Sequence, residues 1–419
     1  MTLRRMRHST AAWALLGAAA FGVAAMAAET KGPVTDDIGV IKLSKGEPIQ
    51  IGVYTVLSGP DTALGLDELR AIQILVDDVG GNVAGHPIKL VTEDGQCSAE
   101  GGQIAATKLA ANQKIPVALG EACSSATVPG APILWKAGIP SIGISPSAPK
   151  LTDPARSKDF DGFVRVVAND LEAGQKGAEW AYNVEKAKKM AAIHDGSPYA
   201  QGLAQAFADN FKKLGGTVTS IEAISPTDTD MKPMLTKIAT DKPDIVFMPI
   251  FVAAMAHITR QAPGIPGLEK TTLVGADGGI VPDFKQLAGD AVLKVKLAVT
   301  DTDPARLGPK YPELVKRYKA KFGEPPIGNF HMNAYDSALL AVDAIKRVAK
   351  QDKDGNTYIG RKALRDAIFA TKNLPGMYGT ITCTPNGDCA KYKFGVYQYV
   401  SVADQFDMGK NPKKIYAGN

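Results

Sequence analysis

The chain has 419 residues, of which 45% are hydrophobic and 22% are charged. These ordinary globular values exclude a mostly disordered, collagen-like or polytopic membrane chain. At roughly 100–200 residues per domain, the length predicts two or three domains. The formal net charge is +5, but no stripe of Lys and Arg interleaved with aromatic residues is present, so we expect no nucleic-acid partner.

The N-terminus has the pattern of a secretory signal peptide. A start rich in Arg is followed by an uncharged, Ala-rich stretch from residue 11 to 28, with Ala25 and Ala27 in an A-x-A arrangement. This pattern predicts that residues 1–27 are a signal peptide, cleaved after Ala27 or Ala28, and that the mature protein is periplasmic. The alternative is an uncleaved anchor. No Cys lies near the end of the stretch, so we expect no lipid anchor.

Four cysteines follow in the mature chain, an even number that predicts two disulfides in an exported protein. They are Cys97, Cys123, Cys383 and Cys389. Their spacing fits neither a CxxC redox pair nor a common zinc site, and we expect no metal and no cofactor. Local pairing is favoured: an Asn-Gly turn lies between Cys383 and Cys389, and Cys97 with Cys123 would close a longer loop.

From Ile49 onward, short β-rich runs alternate with amphipathic helical stretches, the pattern of parallel α/β units. The predicted strands are 49–56, 88–93, 115–120, 139–144, 163–167, 188–194, 217–223, 244–250, 272–275 and 292–299. The predicted helices between them include 66–79, 99–111, 171–184, 199–214 and 231–240, followed by 311–322, 331–349 and 361–370. The strands divide evenly near residue 167, which favours two doubly wound sheets over one sheet of ten strands.

No enzyme signature is present in the sequence. It has no G-x-S-x-G elbow, no phosphate-binding loop, no HExxH motif and no G-x-G-x-x-G opening a helix. The histidines are scattered, and Glu93 and Asp94 point to opposite faces of a strand, so they do not form an acid/base pair. We therefore expect a binding protein and not an enzyme.

Hydroxyl side chains follow two neighbouring strands of the first half. Ser124 comes after strand 115–120, and Ser145 and Ser147 come after strand 139–144. Ligands bind beyond the carboxyl ends of parallel strands, where helix-start amides are exposed. Hydroxyls beside such amides suit a carboxylate; the alternative is that these serines only cap helices.

One acidic and two aromatic side chains follow strands of the second half. They are Tyr199, Phe251 and Asp277. If the two halves face each other, Asp277 would pair with an ammonium group, and the two rings would shape the side-chain space. This is the polarity of a zwitterion site. For Asp277, which precedes two glycines, a turn-forming role is the alternative.

These segments together resemble the periplasmic leucine/isoleucine/valine-binding proteins of ABC importers. The resemblance rests on the order of several motifs through residues 47–400: I-G-V-Y-T-V-L-S-G-P, C-S-S-A-T, S-P-S-A-P, H-D-G-S-P-Y-A-Q-G-L-A and the closing segment 379–394.

The resemblance implies a type I periplasmic-binding-protein fold, with two doubly wound α/β lobes joined by three hinge crossings. Lobe 1 would comprise residues 47–167 and 300–378, and lobe 2 residues 168–299 and 379–406. Residues 407–419 would form a polar C-terminal tail.

The resemblance also implies a role in solute transport. The protein would capture a branched-chain or other neutral amino acid between its lobes and deliver it, as a monomer, to an inner-membrane ABC permease. Alternatives are an aromatic carboxylate, amide or urea-type solute, or a ligand-sensing receptor for a partner protein. The implied ligand contacts are Ser124, Ser145 and Ser147 for the carboxylate and part of the ammonium, Asp277 for the ammonium, and Tyr199 and Phe251 for the wall of lobe 2. His331 would either face the ligand or only begin a helix.

Overall fold

The computed structural model of the protein describes residues 28–418. The predicted signal peptide, residues 1–27, lies outside the described residues. Within the described part, no helix combines the length and the apolar character needed to cross a membrane.

The described chain alternates strands and helices as the sequence predicts. The strands are β1 (Glu29–Lys31), β2 (Val34–Asp36), β3 (Val40–Leu43), β4 (Ile49–Thr55), β5 (Asn82–Val83), β6 (His86–Asp94), β7 (Ala118–Gly120), β8 (Ser141–Gly143), β9 (Phe163–Arg165), β10 (Lys189–His194), β11 (Thr217–Ala223), β12 (Ile245–Met248), β13 (Thr272–Gly275), β14 (Val295–Thr300), β15 (Lys350–Gln351), β16 (Thr357–Gly360), β17 (Leu374–Pro375), β18 (Thr380–Ile381), β19 (Phe394–Gln398) and β20 (Lys413–Ala417). The helices are α1 (Thr62–Asp78), α2 (Ala99–Ala111), α3 (Ser124–Lys136), α4 (Asp170–Asn183), α5 (Pro198–Lys213), α6 (Lys232–Ala239), α7 (Val252–Gln261), α8 (Pro282–Ala288), α9 (Tyr311–Phe322), α10 (His331–Val348) and α11 (Arg361–Phe369).

The first large sheet has the strand order β5-β6-β4-β7-β8-β9 and is parallel except for the β5–β6 pair. Helices cover both faces, so alternate residues of the central strand β4 enter different cores. Ile51 and Val53 pack with residues of α1 and α10, whereas Tyr54 packs with residues of α2. This sheet and its helices form lobe 1.

The second large sheet has the order β11-β10-β12-β13-β14-β19-β20. Its first five strands are parallel, and β19 and β20 add an antiparallel edge. Stacked aromatic rings lie in its core, with the ring centroids of Phe207 and Phe247 4.3 Å apart. This sheet and its helices form lobe 2, and the prediction of two doubly wound sheets is confirmed.

The C-terminal region differs in detail from the sequence-based boundaries. Residues 407–419, which the sequence predicts to be a tail, include β20. This strand pairs antiparallel with β19, and Phe394 and Tyr416 pack together at the same edge. The start of the segment assigned to lobe 2, residues 379–389, packs elsewhere: Cys383 and Cys389 lie in the core of lobe 1. We therefore propose that the third crossing lies between Cys389 and Phe394, and not at residue 378.

Both predicted disulfides are present, Cys97–Cys123 and Cys383–Cys389, and no cysteine of the described part is free. The Asn-Gly turn forms between the second pair, with Thr384 N–H donating to the carbonyl oxygen of Asp388 at 2.8 Å. The first pair anchors the segment that leads into α3, so it fixes the position of Ser124.

Candidate functional site

The main cleft lies between the lobes, beyond the carboxyl ends of β7, β8, β12 and β13. The space between its walls, including the part that is open to solvent, is about 520 Å³. Its lining residues are Leu64, Ala122, Cys123, Ser124, Ser145, Ser147, Val167, Ala168, Asp170, Ala173, Tyr199, Phe251, Asp277, Gly278, Thr300, Phe330 and Tyr392. All six sequence-predicted ligand residues are therefore brought together around one cavity.

Ser124 and Ser145 line the lobe 1 side of the cleft. Ser124 is the first residue of α3, where unpaired backbone N–H groups favour a negative charge. Its Oγ accepts a hydrogen bond of 3.1 Å from Ala148 N–H. Since a hydroxyl both accepts and donates, Ser124 keeps its own proton available for a ligand carboxylate.

Ser147 lies where the two lobes meet. Its carbonyl oxygen accepts a hydrogen bond of 3.1 Å from the N–H of Asp170, the first residue of α4 in lobe 2. Asn169 caps this helix, its side chain accepting from Leu171 N–H. Burial raises the pKa of Asp170 to about 7, against the lowering effects of Arg165 and of a hydrogen bond from Ser147.

Asp277 follows β13 and is partly buried on the lobe 2 side of the cleft. Its Oδ1 accepts hydrogen bonds from Thr300 N–H at 2.9 Å and from Asn329 Nδ2 at 2.5 Å. Removal from bulk water raises its pKa to about 6, and these hydrogen bonds oppose the rise. The bonds hold the carboxylate in place at the cleft.

Tyr199 and Phe251 stand at the N-terminal ends of two lobe 2 helices. Ser197 caps α5 just before Tyr199, and Phe251 precedes α7. Their ring centroids are 5.6 Å apart. With Leu64 and Phe330 of lobe 1, they give the cleft an apolar side suited to an uncharged side chain.

Two acidic residues of the site were missed by the sequence reasoning. Asp170 lines the cleft, and its Oδ2 is buried without a hydrogen-bond partner among the described residues. Its place directly after the Asn169 helix cap was the available signal. Glu68 lies behind Ser145, at the middle of α1; nothing in the local sequence points from that helix position to the cleft.

His331, by contrast, does not line this cleft. It is fully buried at the start of α10. Its Nδ1 is 3.1 Å from Asp67 Oδ2 and its Nε2 is 2.9 Å from the hydroxyl oxygen of Tyr311. These contacts place it in the interior of lobe 1, so the helix-start interpretation is the correct one.

The electrostatics of the cleft favour a ligand with two opposite charges. Helix N-termini and Ser124 offer hydrogen-bond donors on one side. Asp170 and Asp277 offer carboxylates on the other. A buried carboxylate is costly unless a cation or several hydrogen bonds accompany it, so a ligand ammonium near these two residues would lower that cost. Within residues 28–418, no group of His, Cys, Asp and Glu is arranged to hold a metal ion.

Comparison with known proteins agrees with this architecture. A family model described as "Periplasmic binding protein" matches residues 48–401. The Leu/Ile/Val-binding protein of Escherichia coli K12 is 25% identical over 359 residues, which cover 85% of this chain and 92% of that protein. An "Amino acid binding protein" of Pseudomonas aeruginosa is 29% identical over 281 residues, covering 66% of this chain and 73% of that protein.

Solved structures of similar proteins share the fold. The branched-chain amino acid transporter substrate-binding protein of Streptococcus pneumoniae, in complex with isoleucine, superposes with a TM-score of 0.73 and 25% identity, covering 88% of this chain and 98% of that one. A solute-binding protein of Rhodopseudomonas palustris in complex with benzoate gives a TM-score of 0.71 at 19% identity, covering 88% and 96%. Two α/β lobes, a cleft at their strand ends and a family match over most of the chain lead to one conclusion: the chain belongs to the periplasmic binding protein family.

Proposed function

We propose that this protein captures a neutral L-amino acid between its lobes and delivers it to an ABC importer. The observation that carries the proposal is the opposition of Ser124, at the start of α3, to Asp277 and Asp170 across one cleft. This arrangement offers donors for a carboxylate and acceptors for an ammonium, while Tyr199, Phe251 and their neighbours leave apolar space for a side chain. The relatives that bind Leu, Ile and Val support the same ligand class.

The transport role implies the rest of the assignment. The protein would be exported with cleavage after Ala27 or Ala28, would remain unlipidated in the periplasm, and would act as a monomer that docks on an inner-membrane permease. Its chemistry would be binding and release, with no catalytic step. A ligand that bridges both walls stabilises the closed arrangement of the lobes, and closure is the signal that a permease can read.

A second ligand class is an aromatic carboxylate, and the benzoate complex of the Rhodopseudomonas palustris relative is the observation that favours it. A plain carboxylate, however, would leave Asp277 without a cationic partner in the cleft. Because an unpaired buried charge is strongly unfavourable, we favour the zwitterion.

A thermal-shift screen of the refolded, ligand-stripped protein tests the proposal. The panel contains neutral L-amino acids, aromatic carboxylates, amides and ureas. A ligand at a hundredfold excess over its Kd adds about 2.7 kcal/mol to the free energy of unfolding. Stabilisation by neutral L-amino acids supports the proposal; stabilisation only by acids that lack an amino group overturns it. A ligand-sensing role would instead show as binding to a partner other than the permease.

A further inference from the structure

The Ser145 hydroxyl has two oxygen atoms within hydrogen-bond distance. Ser145 Oγ lies 2.5 Å from Glu68 Oε1 and 3.0 Å from the carbonyl oxygen of Ala122. A serine hydroxyl has one proton, and the carbonyl of Ala122 has none. Ser145 can therefore donate to only one of these two oxygens, so both contacts are hydrogen bonds only when Glu68 carries a proton and donates it to Ser145.

Glu68 is placed to supply that proton. It is fully buried on α1, and its second carboxyl oxygen, Oε2, accepts a hydrogen bond of 2.8 Å from the Thr55 hydroxyl at the end of β4. With Glu68 neutral, every contact has one proton: Thr55 donates to Glu68, Glu68 donates to Ser145, and Ser145 donates to Ala122. With Glu68 ionised, one contact of Ser145 is left with two acceptors facing each other, which is unfavourable in a buried site.

The charged groups around Glu68 are acidic. Asp67 comes from α1 itself, and Glu121 comes from the connection between β7 and α3. Asp67 is engaged by His331 Nδ1 at 3.1 Å, and Glu121 accepts from Cys123 N–H at 2.5 Å.

These surroundings favour the neutral acid. Burial, with a smaller contribution from Asp67, raises the pKa of Glu68 to about 8, against the hydrogen bonds from Ser145 and Thr55. Burial also raises the pKa of Glu121 well above its ordinary value. None of the groups acting on Glu68 is a cation.

We propose that Glu68 is a positioning residue of the cleft, an inference that rests on the proposed function. As a neutral acid it donates to Ser145 Oγ, directs the Ser145 proton to the carbonyl of Ala122, and leaves Ser145 facing the cleft as a hydrogen-bond acceptor. Ser145 then accepts from the ligand ammonium, while Ser124 donates to the ligand carboxylate. The two serines thus recognise opposite ends of the zwitterion, which divides between them the carboxylate and ammonium contacts that the sequence assigns jointly to Ser124, Ser145 and Ser147.

Two substitutions separate this role from simple packing. Glu68→Gln keeps the volume, donates an N–H to Ser145, accepts from Thr55 and does not ionise. Glu68→Leu keeps much of the volume but removes every hydrogen bond. With L-leucine as the probe in calorimetry at about pH 7, we expect Glu68→Gln to bind within about threefold of the wild type and Glu68→Leu to bind at least about tenfold more weakly. Equal losses in the two variants would overturn the proposal.

The affinities of wild type and Glu68→Gln should also differ in their dependence on pH. The neutral form of Glu68 is required, so wild-type affinity should fall as the pH rises through about 8, whereas Glu68→Gln should lack this step. Titration of the leucine amino group is common to both proteins and cancels in the ratio of their affinities. A ratio that does not change between about pH 7 and about pH 9 would contradict the role of a proton on Glu68.

An infrared measurement on the ligand-free protein makes the test independent of the ligand. The difference spectrum of wild type minus Glu68→Gln should contain the C=O stretch of a protonated carboxyl group at neutral pH, and this band should disappear at higher pH. An ionised carboxylate band at neutral pH would refute the proposal even if leucine binds. Failure of every amino acid to bind would refute the proposed function instead, and the infrared result would still decide the state of Glu68.

Discussion

The N–H of Asp170 donates a hydrogen bond of 3.1 Å to the carbonyl oxygen of Ser147, and so joins the first turn of a lobe 2 helix to the cleft-lining loop of lobe 1. The bond spans the boundary between the two lobes, close to the crossing near residue 167. It lies beside the Asp170 carboxylate, which faces the cleft. Asp170 therefore contributes both a contact between the lobes and a carboxylate at the cleft.

At acidic pH, the two carboxylates of the cleft should determine how ligand affinity depends on pH. The pKa of Asp277 is raised to about 6 and that of Asp170 to about 7 in the empty cleft. A bound ammonium would lower both, so the affinity they contribute is present above these values and is lost as the pH falls through them. We expect affinity for a neutral amino acid to begin to fall below about pH 7 and, below about pH 6, to fall by up to about tenfold per pH unit for each of the two carboxylates that loses its proton on binding. Calorimetry across this pH range measures the loss of affinity. An affinity that does not change with pH would contradict the pairing of ionised carboxylates with the ligand ammonium.

The two lobes also approach each other closely between α5 and the segment that follows β8. A Cβ added to Gly202 on α5 would lie 2.7 Å from Cδ of Pro149 in lobe 1. Gly202→Leu should therefore hold the lobes apart at a cost of about 1–3 kcal/mol, which weakens ligand binding about 5- to 150-fold.

The control for this change is Gly264→Leu, because a Cβ at Gly264 meets no atom within 4 Å. Small-angle scattering with saturating ligand should show a more open Gly202→Leu protein than the control. Equal affinities for the two variants would mean that this contact does not accompany ligand binding.

The two disulfides should differ in how much they stabilise the folded protein. Cys97 and Cys123 are 26 residues apart, and Cys383 and Cys389 are 6 apart. Loop-closure entropy predicts a loss of about 3–4 kcal/mol in unfolding free energy when the first is removed and about 2–3 kcal/mol for the second. Denaturant titrations of the paired Cys→Ser variants measure both losses.

Only the first disulfide adjoins a ligand residue, since Cys123 directly precedes Ser124. Removing it should weaken amino-acid affinity in addition to stability, whereas removing Cys383–Cys389 should change stability alone. Unchanged affinity after loss of Cys97–Cys123 would argue against a role for this bridge in holding the start of α3.

The sequence predicted the parts of this architecture that depend on local periodicity. Alternating strands and helices predict the two sheets, and the rule that ligands bind at strand ends predicts the shared cleft of Ser124, Ser147 and Asp277. The location of Cys383 and Cys389 in lobe 1 was missed, because packing across the hinge leaves no trace in local pattern. Glu68 was missed for a similar reason: it reaches Ser145 across 77 positions of sequence.

Asp277 should pair with the ammonium of a zwitterion held between the lobes, and one calorimetric comparison measures this pairing. Wild type and Asp277→Asn, which keeps the volume but not the charge, are each titrated with L-leucine and with 4-methylpentanoate, the same acid without its amino group. We expect wild type to prefer leucine strongly and Asp277→Asn to lose about 2 kcal/mol or more of leucine binding free energy, with little change for 4-methylpentanoate. Equal losses for both ligands, or a wild-type preference for the acid without the amino group, would contradict it.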